Sequence, residues 1–264
     1  METPPPLTTP EAPAASTKPN SLASRLFNVF AAPGDVFDEV KRSPQTVSNW
    51  LVPGLILIFV SWMGTWLVVS QDAFQQQYRE ISEKAIDQQI EKMHLSKEEA
   101  EHARQAIAQY GGIGARIGMV VLPVWLGLAV PFIWGAIIWL VGAKILKGGF
   151  DYMKAVEVVG LATMIAALGS VIKTLLIFLT GSIMATPGPS LLIKNLDPQN
   201  NTVHALLSMI NVITFWILAV RAVGLARLSN VSFAKAAAWV FGIWIGYTGL
   251  LFGFGQAAKL LVRK

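Results

Sequence analysis

A chain without cysteine offers few side chains for covalent or metal chemistry. Its three histidines are His94, His102 and His204. His94 and His102 stand near Glu98 and Glu99, and such a group could in principle hold a cation. Four hydrophilic side chains in so polar a stretch read more simply as a solvated surface, and no metal site is expected. The missing thiols exclude disulfides, thiolate metal centres and cysteine nucleophiles. No glycine-rich phosphate loop, zincin motif, nucleophile elbow or pair of intramembrane acids occurs. The expectation is a protein that is not an enzyme and carries no cofactor.

The other candidates lie in apolar surroundings. Lys173 sits about six residues from the end of a long apolar run. A charge inside a span is a functional hypothesis by default. Six residues make only about 9 Å of helix rise, however, so the ammonium can snorkel to the interface. Snorkelling or a structural pair is therefore the reading preferred for Lys173. Glu157, near the opposite end of the same run, reads as interfacial rather than as a proton carrier. Asn211, with Ser208 and Thr214, gives another run a polar stripe suited to interhelical hydrogen bonding, with a substrate or ion contact as the sharper alternative. Gly242, Gly246, Gly249 and Gly253 share one helical face at spacings of four, three and four. Small residues so placed let two helix backbones approach closely, either inside the protein or against a partner.

These residues need long helices to position them, and the composition supplies such helices. Of 264 residues, 14% are charged and 53% hydrophobic, against about 25% charged in soluble domains. Mean hydropathy is +0.52. Apolar runs at about 50–70, 116–142, 155–180, 204–225 and 236–258 each approach the roughly 20 residues that cross a bilayer. Pro123 and Pro131 predict a kink in the second run. Nine tryptophans suit membrane interfaces.

The segments between the runs differ. Residues 1–20, with six prolines, read as a disordered tail. Residues 21–48 hold two short amphipathic helices, one with Leu22, Leu26, Val29 and Phe30 on a face and one with Val36, Phe37 and Val40. They either lie on the membrane surface or pack on the protein's own face. Residues 71–114 carry eight acidic and five basic side chains. They read as an extramembrane helical hairpin, restarted by a Ser96–Glu99 capping box and stopped at Gly111–Gly112. The expected fold is all-α: a polytopic transmembrane bundle of five spans with a soluble helical hairpin after the first, the whole of 21–264 forming one membrane domain.

Lysines and arginines set the orientation. A cytosolic N-terminus puts Lys18, Arg25, Lys41 and Arg42, then Lys144, Lys147 and Lys154, then Arg221, Arg227 and Lys235 on the inside. The loop between the third and fourth spans, outside in this scheme, has only Lys194. The basic residues of the hairpin and the terminal Lys259, Arg263 and Lys264 pull the other way. The hairpin is offset by its own acids and the C-terminal cluster is a weak late signal, so N-terminus in and C-terminus out is expected.

Three blocks of residues together resemble the Yip family, five-span membrane proteins named for interaction with Ypt/Rab GTPases, and its bacterial branch in particular. The first is Phe30-Ala-Ala-Pro33-Gly-Asp-Val-Phe37, running on to Val40, Pro44 and Pro53. The second is Gly148-Gly149 with Tyr152 and Ala155. The third is Asn195-Leu-Asp197-Pro198, then Asn211, Phe215-Trp216, Val223-Gly224-Leu225, Ser232 and Lys235-Ala236. The charged insert after the first span and the short proline-rich tail are the features similar to bacterial members. The resemblance implies five spans, a cytosolic N-terminus and no catalytic residue. It also implies an interaction role, with trafficking GTPases as partners in eukaryotic relatives and, as one guess for a bacterial inner (plasma) membrane protein, an ABC-type exporter. The expected function is thus contact with other membrane proteins, with itself or with lipid, within a transport or trafficking assembly. No nucleic-acid partner is expected, because the basic residues form no single patch. The alternative is a small-solute or ion transporter or channel, for which so few intramembrane charges and no inverted repeat speak poorly.

Overall fold

The computed structural model describes residues 21–93, 95–193, 196–197 and 201–262. The proline-rich tail, His94, Lys194, Asn195, Pro198, Asn200, Arg263 and Lys264 lie outside them. Ten α-helices follow one another among the described residues: α1 (Leu22–Ala31), α2 (Pro33–Arg42), α3 (Ser48–Val69), α4 (Asp72–Lys92), α5 (Lys97–Val124), α6 (Val130–Trp139), α7 (Tyr152–Thr180), α8 (Thr202–Met209), α9 (Val212–Ser229) and α10 (Phe233–Val262). Five continuous helical stretches are long and apolar enough to cross a membrane: Ser48–Val69, Arg116–Ile145, Tyr152–Thr180, Val212–Ser229 and Phe233–Gly255. The fold is the five-span all-α bundle expected.

The third span, α7, is the centre. Sixty-one per cent of its most apolar stretch is buried, and Val156, Val158, Val159, Leu161, Ala162 and Ile165 are fully enclosed. Small residues let the other spans come close to it. A methyl at Gly64 would strike Thr174, and Ser61 and Ser170 share a 3.2 Å hydrogen bond across the same α3–α7 seam. The second span is one helix from α5 to Ile145, widened into π turns at Trp125–Ala129 and Leu140–Ile145. Pro131 has no N–H to give to the carbonyl four residues back, and the widened turn ahead of it accommodates that loss. A kink was expected from Pro123 and Pro131; what the described residues show is this widened turn between them.

Two boundaries differ from expectation. Gly111–Gly112 do not stop a helix, because α5 runs through them into the second span. Two glycines cost only about 1 kcal/mol each, which the long helix on both sides outweighs. The fourth span begins at Val212 rather than near 204, because the chain breaks at Ile210–Asn211 between α8 and α9.

The second arm of the hairpin, α5, starts at the Ser96–Glu99 capping box, with bonds of 2.8 and 3.3 Å. Its hydrogen bonds from Ser96 hold the Glu99 carboxyl below its usual pKa. An exposed Arg104–Asp87 pair joins the two arms. The base is fixed by Phe74, which packs edge-on against Phe178, and by Gln77, which donates to the Gly181 carbonyl at 2.7 Å.

Candidate functional site

The amphipathic helices α1 and α2 pack on the protein itself. Leu26, Val29, Val36, Phe37 and Val40 enter the main core with residues of α7 and α9. Of the two readings the periodicity left open, packing on the protein's own face is the one these contacts support.

Beneath them lies a buried chain of polar groups. Arg25 of α1 pairs with Glu39 of α2 at 2.8 Å. The same guanidinium donates to Asn49 Oδ1 at 3.3 Å, and Asn49 Nδ2 donates to Glu157 Oε2 at 2.6 Å. Lys154 Nζ lies 3.1 Å from Glu157 Oε1, without the alignment of a hydrogen bond, and donates to the Ser43 carbonyl at 2.8 Å. Glu157 is 1% exposed and Asn49 fully buried. Four stretches of chain are thus tied together by groups largely withdrawn from water. A second tie lies nearer the surface: Arg227 pairs with Asp38 at 2.9 Å, and Lys41 donates to Arg227 O and Asn230 Oδ1. The arrangement clamps α1 and α2 onto α3, α7 and α9. It presents no nucleophile beside a base, and Glu157, expected at an interface, is instead the interior hub of the clamp.

The remaining candidates are dispersed. Lys173 is exposed on α7 and makes no hydrogen bond or ion pair among the described residues. Asn211 caps α9, its side chain accepting from the Ile213 N–H at 2.9 Å, and Ser208 turns back to the His204 carbonyl. The expected interhelical hydrogen bonds are therefore local ones, since asparagine at a helix break satisfies an orphan backbone donor. His102 is exposed, while His204 Nδ1 accepts from the backbone N–H of Asp197. Among the described residues no group of three or more His, Asp or Glu could hold a metal ion.

The glycine ridge is open. Nothing lies within 4 Å of where a methyl at Gly242, Gly246, Gly249 or Gly253 would stand. Among the described residues no other helix packs against that ridge. The surface also holds two cavities. One, of about 510 Å³, is an apolar crevice between α3 and α5 lined by Trp62, Thr65, Trp66, Val69, Ser70, Met119 and Val120. The other, of about 350 Å³, lies beside Asp38, Arg227 and Asn230.

The family model described as the Yip1 domain matches residues 27–255. No curated protein and no solved structure matches the chain.

Proposed function

We propose that this chain, which belongs to the Yip1-domain family, works without catalysis, by docking through its fifth span onto another membrane protein or a second copy of itself. The observation that carries the proposal is a contrast between spans. Only 6% of the most apolar stretch of α10 is buried, against 61% for α7. Elsewhere in the bundle glycines mark close contact: Gly54 and Gly127 face each other, and Gly160 faces Trp50. On α10 the same residue type is arranged in a ridge that meets none of the other described residues. In lipid, helices associate by van der Waals fit rather than hydrophobic drive, so a smooth ridge is a surface ready for another helix. A transport or trafficking assembly, an ABC-type exporter among the candidates, would supply that helix. The proposed setting is a bacterial inner membrane.

Gly246→Leu should abolish crosslinking of α10 to its partner in native membranes, at an over-packing cost on the order of 1–3 kcal/mol. Its thermal stability as a monomer in detergent should stay unchanged. Ile245→Leu, about 100° round the helix, should leave both intact. If the two substitutions behave alike in both assays, the ridge faces lipid and the docking reading fails.

The proposed orientation puts α1 and α2 in the cytosol and the α4–α5 hairpin outside. Single cysteines at the exposed Glu83 and Glu101 should react with an impermeant thiol reagent in intact cells, and one at the exposed Gln45 only after lysis. The reverse pattern would invert the topology.

A further inference from the structure

Arg221 stands nine residues after the first residue of α9 and eight before its last. Gly224, one turn on, packs against Val158, and Gly160 packs against Trp50 in the first turn of α3. Arg221 therefore lies about one turn inside the end of the first span, in reach of a membrane interface for a side chain of its length. It is 8% exposed. Its guanidinium lies over the Trp134 indole of the second span, 4.5 Å from the ring centroid, and its Nε is sealed without a hydrogen-bond partner.

The other buried cations have carboxylates, Arg25 with Glu39 and Lys154 with Glu157. Arg221 forms no ion pair among the described residues. The sequence contains no acid between residues 102 and 150 and none after Asp197, so the second, fourth and fifth spans hold no counter-charge. A buried cation left uncompensated costs several kcal/mol. A guanidinium offers a planar fork suited to oxyanions, and the Trp134 ring covers one face of the plane while the edge remains to be satisfied. At this depth the oxyanions available are headgroup phosphates, which basic pockets between membrane helices bind. We infer that the phosphate of an anionic phospholipid, seated at the seam between the second and fourth spans, is the counter-ion of Arg221, with Trp134 holding the guanidinium in place.

The test compares thermal unfolding of the full chain in phosphatidylcholine nanodiscs with and without added phosphatidylglycerol. The wild type should unfold several degrees higher with phosphatidylglycerol and retain that lipid in native mass spectra. Arg221→Gln should lose both effects, while Lys235→Gln, which removes an exposed cation from α10, should keep them. Should Arg221→Gln fail to fold, Arg221→Met provides the same readout with an apolar stem that needs no counter-ion. Inorganic phosphate in phosphatidylcholine discs should leave the wild type unmoved; an equal rise with phosphate would overturn the lipid assignment in favour of a soluble oxyanion. No rise in the wild type, or an equal rise in the wild type and the Gln or Met variant, overturns the site altogether.

Discussion

Glu157→Leu should destabilise the folded protein by about 3–5 kcal/mol, the range for removing one member of a buried ion pair. Glu157 is the acceptor that holds both Asn49 and Lys154. Without it the Lys154 ammonium, 10% exposed, keeps only the Ser43 carbonyl. Asn49 loses the 2.6 Å bond that orients its amide, and with it the Oδ1 that receives Arg25. The damage should therefore travel to the surface helices. Amide exchange across residues 22–42 should accelerate more than exchange in α9. The double variant Lys154→Met/Glu157→Leu should recover much of the loss, because a matched apolar pair of similar volume is often no less stable than a buried ion pair. Equilibrium unfolding in mixed detergent, followed by tryptophan fluorescence, measures all three. A single-variant loss below about 1 kcal/mol, in the range of an exposed pair, would mean that the clamp contributes nothing.

The clamp was not legible in the sequence, and the reason is specific. Apart from Lys154 and Glu157, three residues apart on one helix, its members come from positions 25, 39 and 49, which no local spacing links. Glu157 read as interfacial because it lies near a helix end. In the fold α1 and α2 cover that end, and the interface there is protein. The one usable signal was that each short helix carried a charge flanking its apolar face, Arg25 on one and Glu39 on the other, of opposite sign. Arg221 was misplaced for a different reason. Ser208 and Asn211 fall in an apolar run that hydropathy cannot distinguish from a span, so the fourth span was begun eight residues early and Arg221 fell at its end. What did read through was what depends on long stretches or on adjacent residues: the five apolar runs, the helices of the charged segment and the Ser96–Glu99 cap. The glycines divide the same way. The regular spacing on α10 was visible but its open surroundings were not, whereas Gly54, Gly127 and Gly160, with no pattern among them, pack tightly against neighbouring helices.

Gly160→Leu should be the more damaging of two glycine substitutions that look alike in sequence, Gly160→Leu and Gly246→Leu. A methyl at Gly160 would meet the Cα and Cβ of Trp50 and the carbonyl oxygen of Asn49. These are mostly backbone atoms, which cannot swing aside as the end of a flexible side chain could. Accommodating leucine requires α3 and α7 to separate along their first turns of contact, and over-packing of that kind costs about 1–3 kcal/mol or more. The displaced residues include Asn49, so separation also breaks the bond to Glu157 and loosens Arg25. Gly160→Leu should thus lose packing and the clamp together, and its loss should approach that of Glu157→Leu. The two substitutions combined should then cost clearly less than the sum of their separate effects, since contacting residues of one network are not additive. Full additivity would show that the α3–α7 contact at Gly160 and the polar clamp are independent. A tolerated Gly160→Leu would show that the two helices do not approach as closely as the fold requires.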